Sequence, residues 1–163
     1  MAAPSVREDE RELLRMGAAY ALAVDERDDD ALASLFVPDG RVVIYRLGDE
    51  RPIAVMHGEA LRGLTGILEE TYVRTMHVVT NHLVHVDGDV ATGAAYCVAH
   101  HYLDDGERSE DQQLFVAYRD RCVRTAGGWR FAEREIRRQW TAVHPAGQWP
   151  LDVDRRAAER AAR

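Results

Sequence analysis

Lysine is absent from this chain, and all 21 basic residues are arginine. Without an amine side chain, Schiff-base and lysine-nucleophile mechanisms are excluded outright. Cysteine is nearly absent too. Cys97 and Cys122 stand alone, neither with a Cys-x-x-Cys partner, so free buried thiols are expected and a zinc site is not. No apolar run approaches the length of about 20 residues that a bilayer span needs. The stretch MAAPSVREDERELL turns acidic without the apolar core of a secretory signal, so a cytoplasmic protein that does not enter membranes is expected. A concentrated basic field is missing as well. The net charge of −7 argues against an extended nucleic-acid surface.

The 163 residues suit one domain with a sizeable core, and 46% hydrophobic with 30% charged residues is ordinary for a globular protein. Ser5-Val6-Arg7-Glu8 has the pattern of a capping box, which starts a first helix. Leu13, Leu14, Gly17, Ala18, Tyr20, Ala21, Val24 and Asp25 then fall on one face at helical spacing. The acidic run 25–30 closes that helix, and Asp29 or Asp30 is placed to cap a second one over 31–36. Pro38-Asp39-Gly40 reads as a turn, 41–45 and 53–57 as strands, and 58–70 as a third helix. Beyond residue 75 the pattern becomes four strand-like runs, 76–86, 90–103, 112–124 and 129–140. Asp87-Gly88-Asp89 and Ala126-Gly127-Gly128 are tight hairpin signals between them. Helices first and an antiparallel meander second is an α+β order. The expected organisation is one domain over 1–145 and a tail over 146–163 whose last part, 152–163, reads as a polar helix.

Two kinds of residue carry potential chemistry. Asp25 continues the apolar stripe at the carboxyl end of the first helix, where the macrodipole disfavours a negative charge. Either it turns towards the core and needs a partner, or the helix ends a residue early and Asp25 joins the solvated acidic run. Five of the seven histidines cluster at 77, 82, 85, 100 and 101, and imidazole is the natural base near neutral pH. Simple strand alternation puts His77, Asn81 and His85 on one face and His82 on the other. On the next strand it puts Tyr96, Val98 and His100 together, opposite His101. No H-x-x-x-H or H-E-x-x-H pattern suggests a metal. Tyr20 precedes Asp25 by about a turn, and Arg134 belongs to the dense set Arg130, Arg134, Arg137 and Arg138.

The segments YALAVDERDDDALASLF, TMHVVTNH and GGWRFAER, in this order, resemble the SnoaL-like branch of the NTF2-like superfamily. Within it the pattern is similar to hexachlorocyclohexane dehydrochlorinase, bile-acid 7α-dehydratase and scytalone dehydratase. The resemblance implies an α+β cone, with amino-terminal helices packed inside a curved mixed sheet. It implies a catalytic dyad of Asp25 and His77 with Tyr20 beside it. It also implies a pocket that includes Arg134 and His100 (His101 is the alternative), lined further by Tyr96, Val98 and Leu114. The implied activity is a cofactor-independent lyase, a dehydratase of a hydrophobic hydroxylated molecule of steroid, polyketide or terpenoid type, with no metal. An isomerase or cyclase on the same base, or a non-catalytic ligand-binding domain, is the alternative. A homo-oligomer, trimer or dimer, is implied as well.

Overall fold

Helix α1 spans Val6–Asp25 and begins at the capping box: the Ser5 hydroxyl accepts from the Glu8 N–H while the Glu8 carboxylate accepts from the Ser5 N–H. The computed structural model describes residues 5–147, so the helix expected over 152–163 lies outside the described residues. The buried stripe of α1 runs through Asp9, Leu13, Met16, Gly17, Tyr20, Ala21 and Val24. Leu14 and Ala18, placed on that stripe from sequence, are exposed. Each is two residues, about 200° of helix rotation, from Met16 or Tyr20, and the bulkier pair fixes which side faces inward. Helix α2, Asp29–Ser34, is capped by Asp28 rather than by Asp29 or Asp30, because the Asp28 carboxylate is the one that reaches the Ala31 N–H at 2.8 Å.

Strand β1, Phe36–Tyr45, contains the expected turn Pro38-Asp39-Gly40 as a bulge. The chain has to dip there without a side chain. A Cβ on Gly40 would lie 2.8 Å from the Phe131 carbonyl oxygen and 2.9 Å from the Phe36 Cβ. Strand β2, Ala54–His57, is followed by two short helices, α3 over Glu59–Arg62 and α4 over Leu64–Glu69; the single helix expected over 58–70 is interrupted at Gly63. Four long strands complete the chain: β3, Arg74–Asp87; β4, Val90–Asp104; β5, Ser109–Thr125; and β6, Gly128–Pro145. They form one six-stranded sheet in the order β2-β1-β6-β5-β4-β3, antiparallel except for the β1–β6 pair. This is the mixed sheet around helices that the α+β reading anticipates. No helix among the described residues is long and apolar enough to cross a membrane.

Two local features decide which side chains reach the interior. On β4 the buried parity is Ala91, Gly93, Ala95, Cys97 and Ala99. Small side chains let α1 and a hollow fit against the sheet, so the larger Tyr96, Val98 and His100 point the other way. On β3 a bulge at Asn81, whose φ is +50°, shifts the pairing with β4 between Thr80 and Leu83. One extra residue inverts every side chain beyond it. His82 therefore shares the inner face with His77, and His85 is exposed, the reverse of simple alternation. The His82 ring fills the space left by Gly17, where a Cβ would come within 2.6 Å of it. Both cysteines are free and buried, and burial pushes the Cys122 thiol up to about 12, so these thiols are inert.

Candidate functional site

The end of α1 and the start of β3 converge on one carboxylate. Asp25 Oδ1 lies 2.7 Å from His77 Nδ1 and accepts from the Thr75 hydroxyl at 2.8 Å, while Oδ2 accepts from the His77 backbone N–H at 2.8 Å. Burial alone would raise the Asp25 carboxyl, but the hydrogen bonds from His77 and Thr75 outweigh it and hold the group below the ordinary carboxylate value. A carboxylate cannot donate. Nδ1 must therefore carry the proton, which leaves Nε2 of the neutral ring as a lone pair.

Arg27 supports the carboxylate from behind. Its guanidinium donates to the Thr75 hydroxyl and to the Val24 carbonyl, both at 2.8 Å. Its backbone sits at φ +59°, the left-handed position of a Schellman ending in which Arg27 N–H reaches Val24 and Asp28 N–H reaches Ala23. Glycine is usual there, and an L side chain costs about 1–2 kcal/mol. Arginine in that place puts a cation where α1 would otherwise end on an uncompensated negative charge.

The His77 imidazole lines a cavity of about 270 Å³ between the helices and the sheet. The walls are mostly apolar, with Val24, Met56, Leu68, Leu114, Val116 and Ile136 among them. Tyr20 also lines it, and burial pushes its phenol up to about 12, so at neutral pH the group is a donor. The second cavity histidine is His101. Its Nδ1 lies 3.2 Å from the Gln112 carbonyl oxygen, and its ring packs 5.8 Å from that of His77 and 4.7 Å from Tyr72. Burial, and next the neighbouring His77, depress His101 to about 4. It is thus a neutral ring whose Nδ1–H is committed to the carbonyl, with Nε2 left to accept.

Of the other positions singled out from sequence, Leu114 lines the cavity. Tyr96, Val98 and His100 do not; they occupy the outer face of β4, where His100 Nδ1 meets Asp111 Oδ2 at 2.7 Å. Arg134 is fully buried beneath the cavity. It makes a two-point ion pair with Asp120, both contacts at 2.8 Å, and its guanidinium lies 4.3 Å from the Tyr20 ring centre and 4.4 Å from those of Tyr118 and Phe131. The arginine that does line the cavity is Arg138, on the same face of β6. Thr75, Arg27 and Arg138 were not singled out as site residues from sequence, and His101, which lines the cavity, was named there only as the alternative to His100. The small-residue parity of β4 was the signal that could have selected His101 over His100. Among the described residues, no group of three His, Cys, Asp or Glu side chains could hold a metal ion.

The depressed histidines predict a pH dependence of stability. A histidine whose folded pKa lies below its unfolded value contributes fully above the unfolded value and loses that contribution as pH falls. For His101 the window runs from 6.5 down to about 4, and His82, lowered by burial, acts in the same direction. Asp9, held at about 2 chiefly by Arg124, adds its loss only below its ordinary value of 3.8. Melting temperature is expected to fall between pH 6.5 and 4, less steeply in His101→Gln. An identical slope in that variant would reject the assignment.

An uncharacterized protein of Mycobacterium tuberculosis is 29% identical over 126 residues, covering 77% of this chain and 82% of its own. A candidate scytalone dehydratase from Novosphingobium aromaticivorans superposes with a TM-score of 0.68 at 25% identity, covering 86% of this chain and 92% of that one. A type 2 hexachlorocyclohexane dehydrochlorinase gives a TM-score of 0.71 at 20% identity, covering 88% and 91%, a likeness of fold. With the SnoaL-like domain profile matching residues 5–135, the chain belongs to the SnoaL-like family and carries the NTF2-like fold.

Proposed function

We propose that this protein is a cofactor-independent lyase that dehydrates a hydrophobic β-hydroxy carbonyl compound. The carrying observation is the Asp25-bound imidazole of His77 at the wall of a mostly apolar cavity. Nε2 of His77 removes the proton from the carbon next to the carbonyl, and Asp25 stabilises the imidazolium. The electron pair expels the β-hydroxyl, which leaves as water with the Tyr20 proton; the imidazolium proton then returns to the phenol through solvent. His101 accepts a hydrogen bond from the substrate hydroxyl and orients it. Arg134 supports Tyr20 through its ring contact rather than touching substrate. The free thiols fit a cytoplasmic setting.

Mass spectrometry of a panel of apolar β-hydroxy ketones tests the reading. Loss of one water, abolished by His77→Ala, is the expected result. Conversion without mass change would make the protein an isomerase or cyclase on the same base, and no conversion at all would leave a binding domain. The outer sheet face carries a second expectation. Met76, Val78, Tyr96 and Trp140 are exposed there, with Trp140 stacked on Phe115 at 4.5 Å, and such a face suits a homo-oligomer. Light scattering should give a multiple of the chain mass that Trp140→Glu reduces; a monomer at all concentrations would reject it.

A further inference from the structure

Among the described residues, Arg138 is a cation without a counter-ion at the junction of two cavities. The inner one is the His77 cavity; the outer, about 470 Å³, lies between α4 and strands β5 and β6. They share Ile67, Leu68, His101, Leu114 and Arg138 as walls. Among the described residues, neither has an aspartate or glutamate in its lining, and Arg138 is the sole arginine in both. The neighbouring arginines of β6 are engaged. Arg134 is held by Asp120 and Arg137 by Glu135, whereas no described carboxylate pairs with Arg138. Its Nε is buried without any hydrogen-bond partner. No described hydrogen bond engages its Nη atoms either, and it is there that an anion brought in by a ligand would meet the charge.

We infer that the substrate carries a carboxylate, bound by Arg138 and remote from the carbon that His77 deprotonates. This rests on the cavity being the substrate site and names the chemical class it takes. The placement follows from the sheet. Arg138 pairs with Val116, Val116 with Cys97, and Cys97 with Val79, one row across four strands. Arg138 thus stands three strand spacings, about 14 Å measured along the sheet, from the strand that carries His77. His77 on β3 and Arg138 on β6 stand at the two ends of the sheet wall formed by β3 to β6. The anion is therefore not the carbonyl that acidifies the carbon; it is a separate end of the molecule, directed to the outer cavity, with the apolar body on the Leu68, Leu114 and Ile136 wall. A planar guanidinium matches a carboxylate in a two-point fork, which a rim lysine would not do.

The test compares 4-phenylbutyrate with its primary amide, 4-phenylbutyramide, by calorimetric titration of the full chain. The two probes share shape and differ in charge. Wild type is expected to bind the carboxylate about tenfold or more tightly than the amide, as a charge-assisted pair replaces a neutral one. Arg138→Gln should bring the carboxylate to parity with the amide and leave amide binding unchanged, which also reports that the cavity is intact. Arg138→Lys should retain part of the preference. Asp25→Asn should retain all of it, so loss of the acid–base chemistry and loss of anion recognition are read separately. Equal binding of both probes by wild type, a preference that survives in Arg138→Gln, or no binding of either probe would overturn the inference.

Discussion

Asp25→Asn is expected to leave the fold intact and lower turnover by about 10³- to 10⁴-fold. The side chains are isosteric, but their hydrogen-bonding roles are not. Asp25 accepts from three donors, the Thr75 hydroxyl, the His77 ring and the His77 backbone N–H. An amide has one accepting oxygen and a nitrogen that donates. If the amide oxygen takes the Oδ2 place and keeps the backbone N–H, the amide nitrogen takes the Oδ1 place and faces both Nδ1 and the Thr75 hydroxyl. The ring then moves its proton to Nε2, the atom that must be free to act as base. Binding of a neutral apolar ligand should change little, since Asp25 does not line the cavity. The decisive readings are turnover beside a thermal melt on the same preparation. Unchanged turnover would remove the dyad from the mechanism, whatever the melt shows.

The pairing of Asp25 with His77 was legible through the family resemblance, while the residues alone left Asp25 open between the core and the solvated acidic run; the local elements that carry the two were plainer. Ser5 and Glu8 cap α1, its periodicity runs as far as Asp25, and TMHVVTNH starts a strand. The hairpin signals around Gly88 and Gly128 likewise set the order of the meander. What sequence alternation misplaced was side-chain direction. Period-2 patterns assign two faces but do not say which is inside, and a single bulge exchanges them. On β4 the answer lay in side-chain volume, since alanines, a glycine and a cysteine alternate with Tyr96, Val98 and His100, and only the small set leaves room for α1. On β3 the left-handed residue Asn81 brings His82 inward beside Gly17, and nothing in an alternating pattern places that bulge. Arg134 and Arg138 lie four residues apart on one face, so sequence could rank neither. Their surroundings separate them: Asp120 and three aromatic rings enclose the first, and two cavities meet at the second.

The separation between those two arginines has a large consequence for stability. Asp120→Ala is expected to destabilise the protein by about 3–5 kcal/mol, because it leaves the Arg134 guanidinium buried without its counter-charge. Arg134 has no exposed surface and Asp120 is 6% exposed, so water cannot replace the lost contacts. The opening that Gly93 leaves opposite Asp120 is narrow: a Cβ there would lie 3.2 Å from the Asp120 Cβ and 3.5 Å from His82 Nε2. The three rings around the guanidinium attract a cation, yet at about 0.5–2 kcal/mol each they do not substitute for a carboxylate fork. Against a total stability of about 5–15 kcal/mol, the loss is a large share. Removing both charges is a different experiment. In Asp120→Leu with Arg134→Met, no charge stays unpaired, and the double variant should recover much of what Asp120→Ala loses. Urea midpoints of wild type, the single and the double variants measure this directly. If Arg134 instead served mainly to bind substrate, Asp120→Ala would raise KM and leave the midpoint nearly unmoved, and that result would return Arg134 from the core to the site.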